Sequence, residues 1–165
     1  MTHASNAPAW LAWLEATRLA ASMRESLWLY PIVEIVHILG FVVLVGAAFF
    51  FDLRLLGVGR TLPVTGLAQH LLTRARVSFA IILTSGLMMF TAHATEMAAN
   101  PAFRLKLILI AAAFTSAAAF HHWPFKSAAR WDTGGTTPAP AKVAATFSLV
   151  LWTGAITCGR LLAYL

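Results

Sequence analysis

The sequence predicts an all-α integral membrane protein: a four-helix transmembrane bundle preceded by an N-terminal amphipathic helix at the interface. Of its 165 residues, 59% are hydrophobic and only 11% charged, and the mean hydropathy is +0.76. A soluble domain this small does not carry so few charges. At ~20 apolar residues per span, the length has room for about four spans and short loops. The interfacial helix is expected in residues 1–27 and the transmembrane domain in 28–165. The formal charge of +6 does not point to nucleic acid. The basic residues stand singly at the ends of apolar runs, where they act as interface anchors and topology signals. Membrane lipid is the expected surrounding.

Taken in order, "PAWLAWLEATRLAASMRES" at 8–26 sets Trp10, Trp13, Leu14, Thr17 and Ala21 on one helical face. Glu15, Arg18, Ser22 and Glu25 fall on the other side, so the run is too polar to span and reads as an interfacial helix. The chain start lacks the basic, apolar and small-residue pattern of a cleaved leader, so the first span is expected to direct insertion. That span covers roughly 29–51, with Pro31 suited to its first turn and Asp52 and Arg54 marking its end. The second covers roughly 76–98 and the third roughly 103–123, between Pro101 and Pro124. The fourth covers roughly 142–164, after a loop, "DTGGTTPAPA", whose Gly and Pro content predicts flexibility.

Counting Lys and Arg by side gives a topology. Arg54, Arg60, Arg74, Arg76, Lys126, Arg130 and Lys142 lie on one side, and Arg18, Arg24, Arg104, Lys106 and Arg160 on the other. The excess places both termini on the outer, periplasm-like face. The small-residue stretch in span three and the glycines in the other spans permit close helix packing, and also a homo-oligomer. Cys158 is the single cysteine, which excludes an intrachain disulfide and a Cys-x-x-Cys motif.

The first span contains Glu34 and His37, one turn apart, and ionisable groups inside a span usually line a functional interior. His37 lies six residues in from Pro31, and His93 seven residues in from Asn100, so each is ~9–10 Å deep at 1.5 Å per residue. Two imidazoles level on adjacent antiparallel helices suit a bis-histidine haem b, with each nitrogen ~2 Å from the iron. Gly40 and Gly86 would clear space for the macrocycle, and Met88, Met89, Phe41 and Phe90 would line it. Arg104, Lys106 and Arg160 are candidate cations for the haem propionates. Glu34 is expected to pair with Arg160 or Lys106, or to accept a hydrogen bond from a ring nitrogen. His70, His121 and His122 read as interfacial polar residues, and His3 as part of a tail.

The stretches "SLWLYPIVEIVHILG", "FFFDLRLLG", "SGLMMF", "NPAFRLKL" and "SLVLWTGAITCGRLLAYL" together resemble a family of uncharacterised four-helix bacterial membrane proteins. More distantly the chain is similar to haem-binding, oxygen-independent protoporphyrinogen oxidases and to copper-resistance D domains. That resemblance implies a bacterial inner membrane location, His37 as first axial haem ligand and Lys106 as the basic position of span three. His93 late in span two and Arg160 in span four depart from the oxidase pattern.

The leading expectation is a cytochrome-like b-type haem protein that relays electrons, with one haem between spans one and two near the outer face. A quinone or a periplasmic redox protein would be its partner. The alternatives are a porphyrinogen-oxidase-like haem enzyme, a copper-handling protein and a structural or assembly subunit. Copper(I) prefers thiolate and thioether ligands, and Cys158, Met88, Met89 and Met97 form no ordered relay in sequence.

Overall fold

The computed structural model describes residues 8–162 and Tyr164; His3 lies outside the described residues. Among the described residues seven α-helices follow one another: α1 (Ala9–Glu15), α2 (Arg18–Glu25), α3 (Leu29–Leu56), α4 (Val64–Ala92), α5 (Ala94–Ala99), α6 (Pro101–His122) and α7 (Ala139–Leu161). A 3₁₀ segment, Pro124–Arg130, lies between α6 and α7. Helices α3, α4, α6 and α7 are long and apolar enough to cross a bilayer, and the protein is a multi-pass membrane protein. Their outer surfaces expose Ile32, Ile35, Leu39, Val42, Ile108, Val143 and Val150, an apolar cover suited to lipid.

The N-terminal amphipathic segment is two helices rather than one. Thr17 breaks it: its extended backbone and its hydroxyl, which accepts from Ala20 N, start α2 afresh. Leu11, Ala20 and Met23 turn inward, while Trp10 and Trp13 stay exposed, as expected of tryptophans at an interface.

The second span also ends earlier than its composition suggests. Helix α4 stops at Ala92, and His93, at φ −142° and ψ 47°, turns the chain into the separate helix α5. Glu15 of α1 caps that helix, its Oε1 accepting from Thr95 N and Thr95 Oγ1, both at 2.7 Å. Hydrogen bonds from Thr95 hold the Glu15 carboxyl below its ordinary pKa. Arg24 ties the same corner, donating to Ala92 O and Glu15 O.

At the opposite end, α3 closes on Gly57 (φ 110°). Gly57 N donates to Arg54 O and Val58 N to Leu53 O, the paired bonds of a left-handed glycine cap. Arg54 is 1% exposed and is more than a topology marker. Its Nε donates to Leu62 O (2.7 Å), and its Nη2 to Arg60 O (3.2 Å) and Asp132 O (2.8 Å). Asp132 in turn caps α4, accepting from Thr65 N (2.8 Å) and Thr65 Oγ1 (3.0 Å). The loop expected to be flexible is therefore fastened at Asp132, and again where Gly134 N donates to Arg60 O.

The four spans close incompletely. Helix α3 packs on α4 and α7, and α7 on α6, but among the described residues no Cα of α4 comes within 8 Å of one of α6. Gly40 belongs to the tight side: a Cβ there would stand 3.1 Å from Ile82 Cγ1. Aromatic pairs bridge the loose side, with Phe79 and Phe114 at 4.7 Å between centroids and Phe90 stacked on Phe103 at 5.6 Å.

Candidate functional site around His37

Between the spans, toward the α1–α2 end, lies a cavity of about 400 Å³ whose lining includes Tyr30, His37, Phe41, Gly86, Met89, Phe90, His93, Phe103 and Lys106. His37 is its best-defined polar group. Its Nδ1 lies 3.0 Å from Ser85 Oγ, and that hydroxyl lies 2.6 Å from Ile81 O. A serine has a single proton, and the short contact to a carbonyl, which can only accept, takes it. Nδ1 therefore carries the imidazole hydrogen and donates to Ser85, leaving the lone pair on Nε2. Metal-binding histidines are commonly held in one tautomer this way.

Gly86 completes the seat. A Cβ there would stand 3.1 Å from His37 Cε1. The space is thus taken by the imidazole, not by a macrocycle as expected. Lys106 lies beside Gly159, its Nζ 3.6 Å from the position of a Cβ there, an ordinary contact distance, and 6.0 Å from the centre of the Phe41 ring. Lys106 is the one Lys or Arg among the described residues lining this cavity.

The level placement of His37 and His93 is corrected. His93 meets Tyr30, with ring centroids 6.4 Å apart, whereas His37 meets Ser85. Tyr30 precedes His37 by seven residues and Ser85 precedes His93 by eight, so the imidazoles are offset by ~10–12 Å along the helices. One iron needs both nitrogens at ~2 Å, so the two do not form an axial pair in this arrangement. The cause is the break at Ala92: residues 94–99 dock on α1 instead of extending the span, which leaves His93 at the rim. Its side chain is 48% exposed, with Nδ1 3.9 Å from Glu96 Oε2.

Other expected members stand apart. Gly40 faces α4. Glu34 is exposed on α3 and, among the described residues, makes no ion pair with Arg160 or Lys106. Arg104 is exposed and donates to Ala98 O at 2.6 Å; Arg160 donates to the Tyr164 hydroxyl. Neither lines the cavity. Met88 packs against the cluster of Met23, Val33 and Ala92; Met89 touches that cluster too but also lines the cavity, as expected. Sequence reasoning missed Ser85, although a serine directly before Gly86 and one turn from Met88 and Met89 is a visible polar break.

A second cavity, of about 360 Å³, lies toward the opposite end and is lined in part by Asp52, Arg76, Ser116, His121 and Ser148. Leu44, Phe79, Phe114 and Trp152 line both cavities and separate them. Phe114 holds the partition together, edge-on to Phe79 and to Trp152. His121 is half-buried here, while His70, within α4, and His122 are exposed.

Comparisons of the chain with family models, curated proteins and solved structures give no match.

Proposed function

We propose that the protein is a b-type haem protein of the bacterial inner membrane that relays electrons, with both termini on the periplasmic side. The observation that supports this best is His37, an intramembrane imidazole fixed as the Nδ1–H tautomer on the wall of an apolar cavity. The cavity residues fit a haem in part. His37 Nε2 would hold the iron, Lys106 would meet a propionate, and Tyr30, Phe41, Phe90 and Phe103 would enclose the ring. They do not supply His37 and His93 as a level pair, so His37 is the single imidazole assigned to the iron. The haem, when bound, supplies one-electron chemistry whose potential follows axial ligation, burial and nearby charge. Ser85 holds the proton on Nδ1, Gly86 keeps the ring seated, and the aromatic walls exclude water. The seven-to-five division of Lys and Arg supports the orientation.

The open side between α4 and α6 favours a second reading, a haem enzyme of the porphyrinogen-oxidase kind whose substrate enters from the lipid. Oxidised and dithionite-reduced spectra of the purified protein titrated with haemin test both. A haem spectrum lost in His37→Ala and kept in His93→Ala is expected. Loss of both ligand bands only when His93 is replaced, or no haem uptake at all, overturns the assignment. Porphyrinogen turnover by the loaded protein would select the enzyme reading over the relay.

A further inference from the structure

Asp52 is the second polar group that a membrane interior has to justify. It is 6% exposed, lies within α3 and lines the second cavity, and its Oδ2 is buried without a hydrogen-bond partner. A buried carboxylate oxygen without a partner bears its full desolvation penalty, which a hydrogen bond would offset, and ionisable side chains within spans mark substrate or ion pathways by default. Ser148 is already hydrogen-bonded to this carboxyl, and Oδ2 still calls for a donor of its own.

The rest of the cavity narrows that donor. Arg76 of α4 lines the same space, and its cation disfavours a metal ion or an ammonium head. The carboxylate of Asp52 equally disfavours a fatty acid. A neutral head that donates on one side and accepts on the other satisfies both walls, with His121 as a further partner. Five aromatic residues, Phe51, Phe79, Phe114, Phe120 and Trp152, line the space, and alanines such as Ala117 and Ala144 leave room between them. These suit a flat ring. Access is lateral, because α4 and α6 stay apart. Asp52 is four residues from the end of α3, ~6 Å at 1.5 Å per residue, so a head group held there sits near the interface while a tail follows the seam into the bilayer.

We propose that the Asp52 cavity binds the hydroquinone head of a membrane-dissolved quinol, one ring hydroxyl donating to Asp52 and the other oxygen accepting from the Arg76–His121 wall. This site is on the far side of the aromatic partition from His37 and does not rest on haem binding there. The ligand docks reversibly, with no bond made or broken.

Titration calorimetry on the protein in lipid nanodiscs, kept anaerobic, tests it with decylubiquinol, decylubiquinone, a monoacylglycerol and decylbenzene as probes. Saturable binding of decylubiquinol is expected, with affinity falling at least tenfold in Asp52→Asn. Ala117→Leu, which narrows the cavity without touching a polar group, is expected to weaken binding as well. Decylubiquinone, which cannot donate to Asp52, should bind more weakly than the quinol, and decylbenzene should not bind. Equal quinol affinity in wild type and Asp52→Asn overturns the proposal. So does monoacylglycerol binding that matches or exceeds that of the quinol. Unaltered helical circular dichroism in both variants shows that a lost signal is lost binding rather than lost fold. Haemin titration of the same variants keeps this result separate from the His37 reading.

Discussion

Replacing Arg54 with alanine should loosen the whole loop end of the bundle. The guanidinium makes two short bonds, to Leu62 O at 2.7 Å and Asp132 O at 2.8 Å, and a longer one to Arg60 O at 3.2 Å. Hydrogen bonds from a charged group contribute about 1.5–3 kcal/mol each. Counting only the two short ones gives about 3–6 kcal/mol, and water reaching the freed carbonyls at the membrane edge brings the expected cost to about 3 kcal/mol. Arg54→Lys keeps the charge but not the fork, since an ammonium is a point donor that cannot span carbonyls on two loops. It should recover less than half of the loss. The assay is reversible denaturation in mixed micelles, read together with amide exchange at Val64 and Thr65. Those amides donate to Asp132 O and Asp132 Oδ1 and should lose protection first. An Arg54→Ala protein within about 1 kcal/mol of wild type, or an Arg54→Lys protein indistinguishable from it, would refute the reasoning.

Three further outcomes are expected. Ser85→Ala removes the acceptor for His37 Nδ1 and should weaken haemin binding 10–100-fold, the usual effect of losing a partner behind a metal-binding histidine, as read by spectroscopic titration. Gly86→Ala sets a Cβ 3.1 Å from His37 Cε1 and should shift the haem absorption bands while leaving the melting temperature within a few degrees. The Glu15 cap should respond to acid. Its folded pKa lies below the ordinary value of 4.5, so its contribution is complete above about pH 4.5 and fades as pH falls toward the folded value. Exchange at the Thr95 amide should accelerate over that acidic range in wild type and be fast and pH-independent, after correction for intrinsic rates, in Glu15→Gln.

The four spans were legible because lipid demands long apolar runs, and the start of α6 because proline and asparagine act locally; α4, expected from about 76, begins at Val64 after Pro63, its first turns being too polar to read as part of a span. Pro101 opens α6, and Asn100 Oδ1 accepts from Ala102 N at 2.9 Å. The cavity placements of His37 and Lys106 followed from the rarity of ionisable groups at depth. What could not be read was set by distant partners. Nothing local in "TAHATEMA" ends a helix at Ala92; the turn coincides with a cap from Glu15, 80 residues away in sequence. With it went the apparent level of His93. Arg54 looked like an anchor because its carbonyl partners reach as far as Asp132, 78 residues on. Asp52, two residues before it, looked like the end of a span because charge there is ordinary at an interface. Its burial depends on α4, α6 and α7 closing around it.

The wall formed by Leu44, Phe79, Phe114 and Trp152 has an electrical consequence. The two cavities, each walled mainly by apolar side chains, stand in series on either side of it, so neither protons nor small ions find a continuous polar route from one face to the other. The membrane can stay energised around a protein that carries an imidazole, an ammonium and a carboxyl within its thickness.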